Sequence, residues 1–221
     1  MSNEIDKKKL LLPDYYKTAA QDLIEYCAGD NRKIWIDLGC GPGDIGLTLL
    51  EKLDNITMVL MDPDSDALDT ALISSRQRSV LPRTVTVLGS AETIPMPDNS
   101  VDAVVSRGSF YFWQDRVKGL KEIWRVLRNG GRAMIGGGLG KNYPEWARRE
   151  FIRRQRASQE KTGPEAMKKF LEARNPDTFR RLAVKAGLPA FAIIGEGGLS
   201  EEDPNAGMGI WLQFEKGESN E

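Results

Sequence analysis

Histidine is absent from the 221-residue chain. That gap removes Ser-His-Asp and Cys-His catalysis, His-ligated zinc and any imidazole proton shuttle. Cysteine is scarce: Cys27 and Cys40 alone cannot build a disulfide framework or a cysteine-rich metal centre, so no metal site is expected. No apolar run approaches the roughly 18 residues of a membrane span. The opening stretch, Met1-Ser2-Asn3-Glu4-Ile5-Asp6, carries acids and has only Leu10-Leu11-Leu12 as an apolar cluster nearby, which is not the form of a signal peptide. Surplus charge is missing as well. Lys+Arg 31 against Asp+Glu 32 leaves no phosphate-neutralising excess, which argues against a nucleic-acid partner. A reduced, cytoplasmic protein is expected.

What the chain does have is enough apolar material for a core and many punctuation residues. Hydrophobic residues make up 40% and glycines number 22, with no repeat, low-complexity tract or linker, so one domain over 1–221 is expected. Short β-branched runs alternate with helical patterns. The strand candidates are Ile34–Leu38, Ile56–Met61, Thr84–Leu88, Val101–Val105 and Arg132–Ile135, each ending at Gly, Pro, Asp or Ser. The helices between them are Ile45–Lys52, Ser65–Arg78 and Arg116–Leu127, the last closed by Asn129-Gly130-Gly131. Strand–helix alternation of this kind predicts an α/β fold with a parallel sheet covered on both faces. After a helix over Asp177–Ala186, the runs Ala190–Ile194 and Met208–Phe214 flank a Gly-, Glu- and Pro-rich turn and read as a closing antiparallel hairpin. Two helical segments stand outside the alternation: residues 13–28 before the first strand, and an insertion at 139–174 with Lys+Arg 10 against Asp+Glu 5.

Gly41-Pro42-Gly43-Asp44-Ile45-Gly46 satisfies the G-x-G-x-x-G dinucleotide pattern, with Asp62 about 20 residues on. The frame is wrong for it. That pattern wants apolar strand residues two and four places before its first glycine, where this chain has Gly39 and Asp37. The strand's alternation ends at Leu38, so the turn starts at Gly39 and the loop is Asp37-Leu38-Gly39-Cys40-Gly41-Pro42-Gly43. Glycines there let backbone approach a ligand, and an acid beside them does not suit a pyrophosphate. A tight turn with no ligand is the plainer alternative.

This loop resembles motif I of the class I S-adenosylmethionine-dependent methyltransferases, and the resemblance continues down the chain. Asp62 ends the second strand, Gly89-Ser90-Ala91-Glu92 follows the third, and Pro97–Ser106 leads through the fourth. Trp124-Arg125-Val126-Leu127-Arg128-Asn129-Gly130-Gly131 is similar to the family's R-V-L-x-P-G-G signature with Asn129 in place of proline. The motifs run in order over about 33–138 and resemble the broad small-molecule set that includes quinone-biosynthesis C-methyltransferases. The resemblance implies a Rossmann-like, doubly wound, seven-stranded and mostly parallel sheet with a C-terminal antiparallel hairpin. It implies S-adenosyl-L-methionine as cofactor, with S-adenosyl-L-homocysteine as product. Asp37, Gly39, Cys40, Gly41, Gly43, Asp62, Pro63, Ser90, Ala91, Glu92, Ser106 and Arg107 are the residues expected to hold it, Asp62 through the ribose hydroxyls. Asp62 could instead cap the following helix, a place that Asp64 or Ser65 could also fill.

Methyl transfer from a sulfonium needs position and exclusion of water more than a catalytic base, so the lack of histidine does not weigh against it. The family's frequent histidine pair after the fourth strand is replaced by Ser106-Arg107-Gly108-Ser109-Phe110-Tyr111-Phe112-Trp113. Those aromatics could wall a flat acceptor and face the methyl cation, or simply pack; Phe110 and Trp113 are expected in the core and Tyr111 at the surface. Arg107, at a strand's C-terminal end, is placed to hold a carboxylate of cofactor or substrate. Tyr15 and Tyr16 lie on the helix that in relatives closes over the cofactor, and at i and i+1 only one should reach it. Tyr111, Arg107 and Tyr16 are thus the candidates for a direct part in the reaction. In the insertion, Arg148, Arg149, Arg153, Arg154 and Arg156 could attract an anion, yet Glu145–Arg149 and Glu150–Arg154 are i,i+4 pairs that suit a solvated helix face. The expected partner is a small-molecule methyl acceptor, aromatic or anionic. Two other readings stay open: a methyltransferase fold kept for binding without catalysis, and a nicotinamide-dependent oxidoreductase.

Overall fold

The computed structural model describes residues 15–29, 33–159, 165, 172–195, 203 and 205–217. The first two positions of the expected 13–28 helix lie outside the described residues, as do most of 160–171 in the insertion and most of the turn between the last two strands.

In chain order the elements are α1 (Tyr15–Cys27), β1 (Ile34–Leu38), α2 (Asp44–Lys52), β2 (Thr57–Asp62), α3 (Ser65–Gln77), β3 (Thr84–Leu88), β4 (Val101–Arg107), α4 (Arg116–Val126), β5 (Leu127–Gly137), α5 (Glu145–Gln159), α6 (Pro176–Ala186), β6 (Ala192–Ile194) and β7 (Ile210–Glu215). They form a seven-stranded sheet in the order β3-β2-β1-β4-β5-β7-β6. The first five strands are parallel, and β7 runs antiparallel to both β5 and β6. The expected fold class is therefore observed, with β7 inserted between β5 and the short edge strand β6.

Alternation along the strands divides the core between the two faces. Ile36, Leu38, Val59, Met61 and Val104 join Phe110, Leu120, Ile123 of α4 and Phe179 of α6 on one face. Trp35, Met58, Leu60, Ala103 and Val105 join Ala19 and Leu23 of α1, Leu47 and Leu50 of α2 and Ala71 of α3 on the other. Asp37 shares the parity of Trp35, so it enters the second layer beneath α2.

The helix ends follow local chemistry. Asp64 caps α3 by accepting from the Asp66 and Ala67 amides, Asp115 caps α4, and Asn175 with Pro176 starts α6, which Gly187 ends in the left-handed region. One stop differs from expectation. Helix α4 ends at Val126, and Asn129-Gly130-Gly131 belongs to β5. The cause is the C-terminal strand: the Gly130 amide donates to the Lys216 carbonyl and the Lys216 amide to the Gly131 carbonyl, which extends the sheet over the glycine pair.

Candidate functional site

The first crossover of a doubly wound sheet places backbone at the C-terminal strand ends, and here the switch lies between β1 and β4. The turn after β1 is held from two sides. The Gly39 and Cys40 amides both donate to the Met61 carbonyl, at 2.8 and 3.1 Å, and the Gly41 amide donates to Asp62 Oδ2 at 2.8 Å. Gly39 has φ +71, and a Cβ there would lie 2.2 Å from Ser109 Cβ. Ser109 is fixed in turn: its hydroxyl donates to the Leu38 carbonyl at 2.8 Å, lies 2.6 Å from the Ser106 hydroxyl and accepts from Trp113 Nε1 at 3.2 Å. Glycine is thus required by both conformation and space. Gly39→Ala is expected to destabilise the fold by about 3 kcal/mol or more, read from denaturant unfolding; a loss within about 1 kcal/mol would contradict this packing.

Above the turn opens a cavity of about 610 Å³. Its floor is Asp37 to Pro42, and its far wall is Asp62 and Pro63 with the Gly89–Glu92 turn. Tyr16, Arg107 to Ser109 and Phe112 to Gln114 close the near end. Asp62 is not the helix cap; its second oxygen accepts from the Asp64 amide at 3.0 Å. Each carboxylate oxygen keeps a further lone pair for a ligand hydroxyl.

The electrostatics are unusual at both ends. Asp37 is 2% exposed and, among the described residues, holds only the Gly46 amide, at 2.9 Å. Burial raises its carboxyl to about 7, the Gly46 bond works against that, and nearby Asp62 and Asp44 add to it. Burial also raises the Cys40 thiol, with Asp37 and Asp62 adding to the effect, so Cys40 stays a neutral wall residue rather than a nucleophile. Tyr16 rises to about 12 through burial and its contact with Asp44. Burial lowers Arg107 to about 10.

Residues 36–135 match the sequence model of a methyltransferase domain family. Over 97 residues the chain is 41% identical to an uncharacterized methyltransferase of Mycobacterium tuberculosis, a stretch covering 44% of this chain and 36% of that one. It is 36% identical over 102 residues to rice 2-methyl-6-phytyl-1,4-hydroquinone methyltransferase 2, covering 46% and 28%. A solved structure from Methanococcus maripaludis, assigned to the S-adenosyl-L-methionine-dependent methyltransferases, superposes with a TM-score of 0.75 at 26% identity, over 97% of this chain and 90% of that one. Residues 36–135 are thus similar to a methyltransferase domain, and the fold over nearly the whole chain is similar to that of a solved methyltransferase. The match spans about a third of the length of the first curated relatives.

The cavity brings together most of the residues singled out in the sequence, but not all. Gly43 faces inward, with Leu47, Leu60 and Ala71 around it, and starts α2 in the left-handed region. Ser106 is fully buried and serves Ser109. Glu92 lines the cavity, yet its Oε1 accepts from the Gln114 and Asp115 amides and so fixes the start of α4. The arginine of the signature, Arg125, is structural: it bonds the Ile94 and Met96 carbonyls, Asp98 and Glu122. Gly46, the last glycine of the dinucleotide frame, is buried in α2 against Leu60 and Asp37. That frame has no ligand-facing third glycine.

The aromatic loop departs from expectation. Phe110 is core and Trp113 is half-buried, but Phe112, 84% exposed, is the surface ring. Tyr111 turns inward and its hydroxyl is sealed without a partner, because its ring packs on Phe179 and over Gly137. Both N-terminal tyrosines reach the end of β4. Tyr16 lines the cavity, while Tyr15 is buried, donates to the Gly138 carbonyl at 3.1 Å and stacks on Arg107. In the insertion, Arg149 pairs with Glu145, and Arg153 and Arg154 pair with Glu150, as on a solvated face. Arg148 instead is buried, bonding the Tyr143 and Ala206 carbonyls; the side chain of Arg156 lies outside the described residues. Ser109, Asp44 and Gln114 are site neighbours that the sequence reading did not assign, and their types alone carry no signal. No helix among the described residues is long and apolar enough to cross a membrane, and no group of metal-ligating side chains occurs among them.

Proposed function

We propose that this protein transfers the methyl group of S-adenosylmethionine to a small-molecule acceptor by in-line displacement. The observation that carries the reading is the pairing of a glycine turn at the end of β1 with Asp62 at the end of β2, across one cavity. In this reading Asp62 accepts from the ribose hydroxyls, Pro63 and the Ser90–Glu92 turn border the base, and Asp37 with the Gly39–Gly41 backbone receives the ammonium end. Tyr16 and the Phe112–Gln114 segment then exclude water around the reacting methyl. The sulfonium's intrinsic reactivity leaves no step that requires a histidine. The whole chain, 1–221, would work as one domain in the cytoplasm, on an acceptor that enters between α1, the aromatic loop and the insertion.

The test is turnover. S-adenosylhomocysteine release is followed with S-adenosylmethionine and a panel of quinols, phenols and aromatic carboxylates. Acceptor-dependent release that is lost in Asp62→Ala supports the reading. Tight cofactor binding with no release on any acceptor would favour the binding-module alternative instead.

A further inference from the structure

Arg107 is the last residue of β4, and among the described residues its guanidinium has no counter-charge. It makes no ion pair among the described residues, and its Nε is sealed from solvent with no hydrogen-bond partner. Its nearest support is aromatic: the guanidinium lies 4.2 Å from the Tyr15 ring centroid and 5.8 Å from that of Tyr16. Stacking on ring faces offsets only part of the cost of burying a cation. Four residues on, the Tyr111 hydroxyl is also sealed without a partner, and the Arg174 guanidinium lies 4.0 Å from the Tyr111 ring centroid. Two sealed donors without acceptors, four residues apart, are unusual in a native fold.

Location gives them meaning. Arg107 lines the same cavity as the glycine turn, but from β4, next to β5, whereas the turn and Asp62 rise from β1 and β2. Gly137 of β5 lies against the Tyr111 ring. A ligand whose nucleoside sits over β1 and β2 therefore presents its opposite end to Arg107. The planar fork of a guanidinium matches a carboxylate through two parallel bonds.

We propose that Arg107 is a carboxylate-binding subsite at the β4 end of the cavity, taking either the amino-acid carboxylate of the cofactor or a carboxylate on the methyl acceptor. The proposal rests on the cavity being the cofactor site. It makes Tyr15 a positioning residue that holds the guanidinium in place. It also makes the missing counter-charge a feature that the ligand supplies.

The experiment titrates the full chain and Arg107→Met calorimetrically with three probes: S-adenosylhomocysteine, 5′-methylthioadenosine, which lacks the amino-acid end, and benzoate, with and without nucleoside. If the cofactor supplies the carboxylate, Arg107→Met loses at least tenfold (about 1.4 kcal/mol) for S-adenosylhomocysteine and nothing for methylthioadenosine. If the acceptor supplies it, both nucleosides bind unchanged and benzoate binding is lost. In either case ligand-free Arg107→Met should melt higher than wild type, because a cation with a sealed, unpartnered Nε has been removed; a lower melting point marks an arginine kept for structure. Equal binding of all probes, or parallel loss of both nucleosides, overturns the proposal. Wild-type protein that binds neither nucleoside would overturn the cofactor reading instead, and the benzoate arm without nucleoside would then decide on Arg107 alone.

Discussion

Binding of S-adenosylhomocysteine should tighten about tenfold for each pH unit between roughly 5 and 7, level off above 7, and release one proton. The cause is Asp37. Burial holds its carboxyl near 7 in the ligand-free protein, with Asp62 and Asp44 adding to the effect. An ammonium group arriving beside it favours the ionised form and pulls the value down. Below pH 7 part of the binding energy must first remove the proton. Titration in buffers of different ionisation enthalpy measures the proton released. Asp37→Asn should give a flat pH profile and weaker binding at pH 8, and flat binding by wild type would contradict the assignment. Stability carries the opposite sign. Because the folded value lies above the unfolded value near 3.8, the native state binds more protons between about 4 and 7, so stability falls as pH rises through that window. About three pKa units correspond to about 4 kcal/mol at most. Ligand-free Asp37→Asn should recover part of that at pH 8 and little near pH 4, which thermal melts at the two pH values would show.

Asp62→Ala should weaken S-adenosylhomocysteine about 100-fold. Hydrogen bonds to a charged group contribute roughly 1.5–3 kcal/mol each, and a ribose diol offers two. The loss should be as large for 5′-methylthioadenosine, which keeps the ribose, and this separates Asp62 from Arg107. Removing the carboxylate also frees the Gly41 and Asp64 amides that it now accepts, so a modest fall in melting temperature should accompany the change. Asp62→Asn, which keeps one acceptor oxygen, should fall between. A loss below about threefold (0.65 kcal/mol) would reduce Asp62 to a brace for the turn.

Much of this was legible in the sequence because local chemistry and global topology agree there. The alternation Ile34–Leu38 followed at once by Gly39 set the frame of the turn, and the structure places β1 and the turn there. The parallel order of the first five strands followed from their alternation with helices. What could not be read was tertiary in origin. Nothing in Asn129-Gly130-Gly131 says that Lys216 will extend the sheet over it. Tyr111 was expected outside and Phe112 was not singled out; the facing comes from Phe179, which arrives from α6 far along the chain. Ser109 clamps Gly39 across 70 residues, a contact that no local pattern encodes. Arg148 had the same spacing cues as its solvated neighbours, yet the Tyr143 and Ala206 carbonyls bury it.

On this view the cavity over the Gly39–Gly41 turn takes an adenosyl sulfonium ligand rather than a dinucleotide. Calorimetric titration of the purified chain at pH 8 with S-adenosylmethionine, S-adenosylhomocysteine and NADH tests it directly. The expected result is one site per chain for both adenosyl ligands, with affinity on the order of micromolar (about −8 kcal/mol), and no heat with NADH. NADH binding at a single site with no response to either adenosyl ligand would contradict it.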